Sequence, residues 1–194
     1  MQEWSEDEIA PSAGLPLQER VNVEIVIYVS EGAITHRDSL GNEGRLETGS
    51  VQVVSAGTGI RHAEYNLEQT PARIFRILFA PDAPGGSPGW ATQPCPAAVQ
   101  PGGFAVIASG IDADSDALPI RSGVRVLNAK LSVGQSAAHV LGVQRCAYLV
   151  PSTGIVIVNG VLIRARDGAA IADTDVVTIT AIEDADIVMV DVSS

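Results

Sequence analysis

From Val21 onward the chain alternates. Val21, Val23, Ile25, Ile27 and Val29 are interleaved with Asn22, Glu24, Val26, Tyr28 and Ser30. A period of two predicts a long strand with one aliphatic face and one mixed face, of the kind that lines a small barrel. Ala33 to His36 continues as a strand, Asp38-Ser39-Leu40-Gly41-Asn42 has turn chemistry, and Arg45 to Val54 returns with a break at Thr48-Gly49. After a sharp break at Ala56-Gly57-Thr58-Gly59, further strands are expected over Ile60 to Tyr65 and Arg73 to Phe79. Short strands joined by tight turns at this spacing imply an all-β barrel or sandwich. Residues 1–20 are polar and read as irregular. Residues 81–103 are rich in proline and glycine and read as a linker between a unit at 1–80 and another at 104–194.

The second half follows the same grammar. From Tyr28 to Gly49 is 21 residues and from Tyr148 to Gly168 is 20, with strand, turn, strand and glycine turn in each. That favours a duplicated barrel. Val176 to Val192 reads as two more strands around Glu183-Asp184. No stretch sustains the three-and-four spacing of an amphipathic helix.

Composition narrows the function classes. Apolar residues are 46% of the chain but aromatics only 4%, so the core is expected to be Val, Ile, Leu and Ala, which favour strands. A net charge of −11 repels phosphate backbones, and no basic run or zinc-finger spacing offsets it, so nucleic acid is excluded as a partner. No apolar run is long enough to span a membrane, and the acidic start, Met1 to Asp7, lacks the form of a signal peptide. Cys95 and Cys146 are isolated, as expected of reduced thiols in a cytoplasmic protein.

Candidate chemistry is concentrated in the first half. In the second, His139 stands alone among alanines and a valine and reads as structural. In the first, His62 and Glu64 follow the glycine turn and lie two apart on a strand, so they project from one face. An imidazole beside a carboxylate is half of a metal site. By itself, His-x-Glu fits an ordinary surface pair better.

A longer run of residues is more specific. It comprises Ile9-Ala10-Pro11, Gly14-Leu15-Pro16, Glu24-Ile25-Val26, Tyr28-Val29, Glu31-Gly32-Ala33, His36, Asp38 to Asn42 and Ser55 to Asn66. This pattern resembles the pirin family, a branch of the cupins. The resemblance implies a bicupin, two small jelly-roll β-barrels packed face to face, with one metal, usually iron, in the N-terminal barrel. Three His and one Glu hold that metal. Members resemble quercetin 2,3-dioxygenases, and eukaryotic members act as redox-sensitive transcriptional co-regulators. Two of the implied ligand positions fall on His62 and Glu64. The other two belong to a His-Pro-His motif and fall on Gln18 and Arg20, with Glu19 between them. The family's longer N-terminal segment also has no counterpart before Trp4, which implies an open barrel edge that a second copy could cover.

If positions 18 to 24 form one strand face, then Gln18, Arg20 and Glu24 look inward with Tyr28, towards His62 and Glu64. Arginine is a permanent cation and no metal ligand. Two placements of Arg20 are open: paired with Glu64 or Glu24 in place of a metal, or bent out to solvent. His36 is expected to line the pocket in a structural role. The leading functional expectation is a degenerate pirin-like protein, a binding or regulatory module with no metal or a weakly bound divalent one. The alternative is a metal-dependent dioxygenase of the quercetin 2,3-dioxygenase type with Glu64 catalytic. A small aromatic ligand or a protein partner is expected on either reading.

Overall fold

The computed structural model describes residues 1–96, 103–142 and 144–193. Their regular structure is nineteen strands, and among the described residues no helix is long and apolar enough to cross a membrane. Met1–Cys95 with Leu118–Ser122 forms one compact unit, and the remaining described residues form a second.

The first unit contains β1 (Glu3–Ile9), β2 (Gly14–Arg20), β3 (Glu24–Glu31), β4 (Ala33–Asp38), β5 (Glu43–Glu47), β6 (Ser50–Ser55), β7 (Ile60–Tyr65), β8 (Ala72–Phe79) and β9 (Gly89–Pro94). They make two antiparallel sheets, ordered β1-β8-β3-β6-β9 and β2-β7-β4-β5. The aliphatic face of β3, with Ile25, Ile27 and Val29, meets Ile34, Leu46 and Ile60 of the other sheet in one buried core. The hydrophobic face read from the sequence is therefore the barrel interior, because burying it removes the most apolar surface from water.

Three expectations change here. Residues 1–20 are not irregular, since β1 pairs with β8 and β2 with β7. Residues 81–103 are not all connector: Gly89–Pro94 is β9, paired with β6 from Ser50↔Pro94 to Ser55↔Gly89. Residues 97–102 of that segment lie outside the described residues. Positions 18 to 24 are not one strand face, because the chain breaks at Asn22. Asn22 is in the left-handed region, at φ 51°, and its N–H donates to the Gly57 carbonyl at 2.9 Å. β2 and β3 therefore belong to different sheets, and the inward parity changes from even to odd positions. Glu24 and Tyr28 are buried on the opposite face of β3, across from Phe79 and Phe75 of β8, and do not line the pocket. Glu24 accepts from Ser55 Oγ at 2.6 Å and from the Arg121 N–H at 3.3 Å.

The chain continues through β10 (Ala105–Ser109), β11 (Leu118–Pro119, in the first unit), β12 (Arg125–Leu131), β13 (Ser136–Val140), β14 (Arg145–Thr153), β15 (Ile155–Val158), β16 (Val161–Arg164), β17 (Ala169–Ile171), β18 (Val176–Ala181) and β19 (Ala185–Ser193). Within the second unit the orders β10-β12-β19-β14-β17 and β13-β18-β15-β16 reproduce the two-sheet plan of the first. A pair of glycines ties the two together. Gly32, between β3 and β4, and Gly154, between β14 and β15, have φ of 73° and 79°. A Cβ on Gly32 would lie 2.6 Å from the Pro71 carbonyl, and one on Gly154 would lie 2.4 Å from that of Asp184. Each sits against the residue that precedes its unit's closing long strand, so the same corner has been built twice.

Candidate metal centre

The turn at 56–59 delivers β7 with Ile60 buried in the core. His62 and Glu64, two and four residues on, take the same inward direction and are 2% and 1% exposed. β4 runs beside β7 with His36 opposite Glu64 and Asp38 opposite His62. This register brings the ligand atoms of His36, His62 and Glu64 within 4.8 Å of one another. His36, expected to line the pocket, is a member of this cluster.

Glu64 Oε1 is the hub. It receives His62 Nδ1 at 3.0 Å, His36 Nδ1 at 3.3 Å and the Gln52 side-chain amide at 3.2 Å. The other nitrogen of His36, Nε2, lies 3.2 Å from Asp38 Oδ2. Burial works against ionisation of Glu64, but the hydrogen bonds from His36 and His62 and their charge outweigh it, and its carboxyl is lowered to about 2. Burial likewise opposes ionisation of Asp38. Hydrogen bonds from Asn42, His36 and the Leu40 N–H outweigh that too and hold it below the usual range.

Trp90 completes the wall. Its ring lies parallel to His36, with centroids 5.0 Å apart and planes 5° apart, and its Nε1–H donates to Gln52 Oε1 at 2.9 Å. Gln52 is thereby oriented with its amide towards Glu64. Gly44, opposite His36 on β5, makes room for the indole: a Cβ there would lie 2.5 Å from Trp90 Cη2. Gly44→Ala should therefore push the indole off His36 and destabilise the protein by about 1–3 kcal/mol, the usual penalty of overpacking. Tryptophan emission and urea unfolding check both. An unchanged spectrum and midpoint would mean that the indole is not confined there.

Gln18 pairs with His62, and Arg20 with Ile60, across β2 and β7. Both positions therefore face the barrel interior, as expected. The expected ion pair does not form. Among the described residues Arg20 makes no ion pair with Glu64 or Glu24. Its Nη2–H donates instead to Gln18 Oε1 at 2.6 Å, and its Nε is buried without a partner. The groups that face Glu64 Oε1 are the two histidine rings and the Gln52 amide.

These residues do not reproduce a four-ligand metal centre. A carboxylate oxygen only accepts, so each hydrogen bond from His36 to Asp38 or Glu64 takes a ring nitrogen whose lone pair an ion would need. Gln18 is engaged by Arg20, and Arg20 is a cation. What remains for a divalent ion is Glu64 and His62, whose Nε2 is buried without a partner among the described residues. His36 could join them at the expense of its own hydrogen bonds. Two or three ligands of this kind fit a weakly held ion.

The second barrel carries no copy of this cluster. Counting from the equivalent glycines, Val158 stands where His36 does, and its partner Ile179 stands where Glu64 does, with Val177 in place of His62. All three are buried and apolar.

Comparison with known proteins agrees with this architecture. The pirin family model matches residues 1–78, and that of the quercetinase C-terminal cupin domain matches residues 106–192. A pirin-like protein of Caulobacter vibrioides is 53% identical over 188 residues, which cover 97% of this chain and 81% of that protein. Quercetin 2,3-dioxygenase of Escherichia coli is 30% identical over 188 residues, covering 96% of this chain and 80% of the enzyme. The crystal structure of the bacterial pirin YhhW from Escherichia coli in complex with nickel(II) superposes with a TM-score of 0.88 at 28% identity, covering 98% of this chain and 81% of that one.

Proposed function

The chain belongs to the pirin family, and on that footing we propose that its first barrel is a ligand-binding site that holds a divalent metal only weakly and turns over no flavonol. The observation that carries this reading is the saturation of Glu64 Oε1 by three protein donors, His36, His62 and Gln52, with Gln18 and Arg20 at the two positions facing them from β2. An added ion would compete with three donors for that oxygen, and a guanidinium on the same face opposes a second positive charge. Cys95 and Cys146 are not joined in a disulfide, which supports a reducing compartment such as the cytoplasm.

A second reading has one observation in its favour. The partnerless Nε2 of His62, on a residue that clusters with His36 and Glu64, supports a metal-dependent dioxygenase resembling the quercetin 2,3-dioxygenases. In that case His62, Glu64 and His36 would hold the ion, which would supply oxygen chemistry.

Reconstitution with Fe(II), Ni(II), Mn(II) or Cu(II), followed by desalting, metal analysis and a flavonol assay, separates the two. The proposed reading gives metal well below one per chain and no turnover above buffer. One retained ion per chain, with turnover that disappears in His62→Ala, would establish the dioxygenase instead.

A further inference from the structure

Arg20 Nε and His62 Nε2 are both buried and lack a hydrogen-bond partner among the described residues. A buried polar atom left unmatched costs about 1–3 kcal/mol. Two of them on one face mark a place for a molecule that brings the missing groups. Their residues are also diagonal neighbours in the strand register. His62 faces Gln18, and Arg20 is the next residue of β2 on that face. Diagonal neighbours of this kind are about 7–8 Å apart along the sheet, within reach of long side chains. The Gln18 side chain takes Nη2 of Arg20 at 2.6 Å and so holds the guanidinium in place.

The two atoms make different demands. Arg20 Nε–H can only donate, and an ionised oxygen is its strongest acceptor. His62 uses Nδ1 on Glu64, and its Nε2 is matched by a hydroxyl, which donates to a bare nitrogen or accepts from a protonated one. The match therefore holds in either protonation state of the ring. Glu64 meets neither demand, since both atoms lack a partner among the described residues while its Oε1 takes His36, His62 and Gln52.

We infer that the first barrel binds a small hydroxycarboxylate, with the carboxylate on Arg20 and the hydroxyl on His62 Nε2. This rests on the reading that no metal is held tightly there, because a resident ion would take the same nitrogen.

The test uses the full chain after chelator treatment, titrated with glycolate and lactate by calorimetry and by tryptophan emission, since Trp90 lies against His36. Acetate and propionate, which lack the hydroxyl, and inorganic phosphate are the comparison probes. The hydroxy acids should bind at least about tenfold more tightly than any of the three, a difference of about 1.4 kcal/mol. Arg20→Gln should lower lactate affinity at least tenfold. Arg20→Lys, which keeps the charge and removes the Nε–H, should lower it by a smaller factor of about three or more. Arg20→Lys also decides the matter if the Gln variant does not fold. Equal affinity for lactate and propionate, phosphate binding as tight as lactate, no saturation with either hydroxy acid, or undiminished binding in both Arg20 variants would each overturn the inference. If these failures occur while the protein still retains no metal and no flavonol turnover, only the ligand assignment falls. If a tightly held ion and turnover appear, the underlying reading falls with it.

Discussion

Changing Gln18→His and Arg20→His together should tighten Ni(II) or Fe(II) binding by at least about 100-fold, since even the loss of an outer-sphere partner commonly shifts metal affinity 10- to 100-fold. The reason is the β2–β7 register. Position 18 lies directly opposite His62, and position 20 is its diagonal neighbour on the same face. Two imidazoles there add two neutral nitrogen ligands beside His62 Nε2 and Glu64, and the same change removes a permanent cation from the site. The single Gln18→His variant leaves the guanidinium and should gain much less. Metal retained after desalting and calorimetric titration read the effect. In the same double variant lactate affinity should fall, because the donor proposed to hold its carboxylate is gone. A double variant that folds, as judged by its thermal midpoint, and retains no more metal than the parent would mean that the missing histidines are not why the parent binds weakly.

The alternation between Val21 and Ser30 made β3 and its aliphatic face legible, and the two-residue spacing of His62 and Glu64 placed both on one inward face. The same alternation concealed the change of sheet at Asn22. Val21 and Val23 continue the apolar rhythm across the break, and only a left-handed backbone at one residue separates β2 from β3. That single dihedral decides that Glu24 and Tyr28 face away from the site while Gln18 and Arg20 face into it. Asp38 was within reach of sequence reasoning: His36-x-Asp38 has the same spacing as His62-x-Glu64. Gln52 and Trp90 were not. Their hydrogen bond joins residues 38 apart, and Trp90 sits in a segment whose prolines and glycines outweigh its short strand. The expected cation does not sit opposite Glu64, because register sets His36 opposite the carboxylate and keeps Arg20 one step away.

The lone histidine of the second barrel leads to the other large effect, on stability. Asp191 shares the inward face of β19 with Ile187 and Met189 and is fully buried. Its Oδ2 lies 2.9 Å from His139 Nε2, and its Oδ1 accepts a short hydrogen bond from Arg145 Nε. Arg145 Nη2 also donates to the Asp191 backbone carbonyl at 2.9 Å, and Arg125 Nη1 stands 3.9 Å from Oδ2 while its Nε pairs with Asp114 at 2.7 Å. Asp191→Ala leaves these cations facing an empty position, and removing one partner of a buried ion pair typically destabilises by about 3–5 kcal/mol. The low end is expected, since the Arg145 side chain is 16% exposed and water can reach it. Asp191→Asn keeps the shape and loses less. Both tryptophans, Trp4 and Trp90, lie in the first unit, so hydrogen exchange by mass spectrometry is the appropriate readout. Protection should fall in β13, β14 and β19 and persist in β3 and β8. Burial raises the Asp191 pKa, but the hydrogen bonds from His139 and Arg145 and the charge of Arg145 outweigh it and depress it below the ordinary value. A depressed carboxyl stabilises fully above its unfolded value near 3.8 and loses that contribution as the pH falls through the lower folded value. The gap between the parent and Asp191→Asn should therefore still be open at about pH 5 and close below about pH 4. A gap that stays constant through that acidic window would mean that the charge on Asp191 contributes nothing and that shape alone holds this end of the barrel.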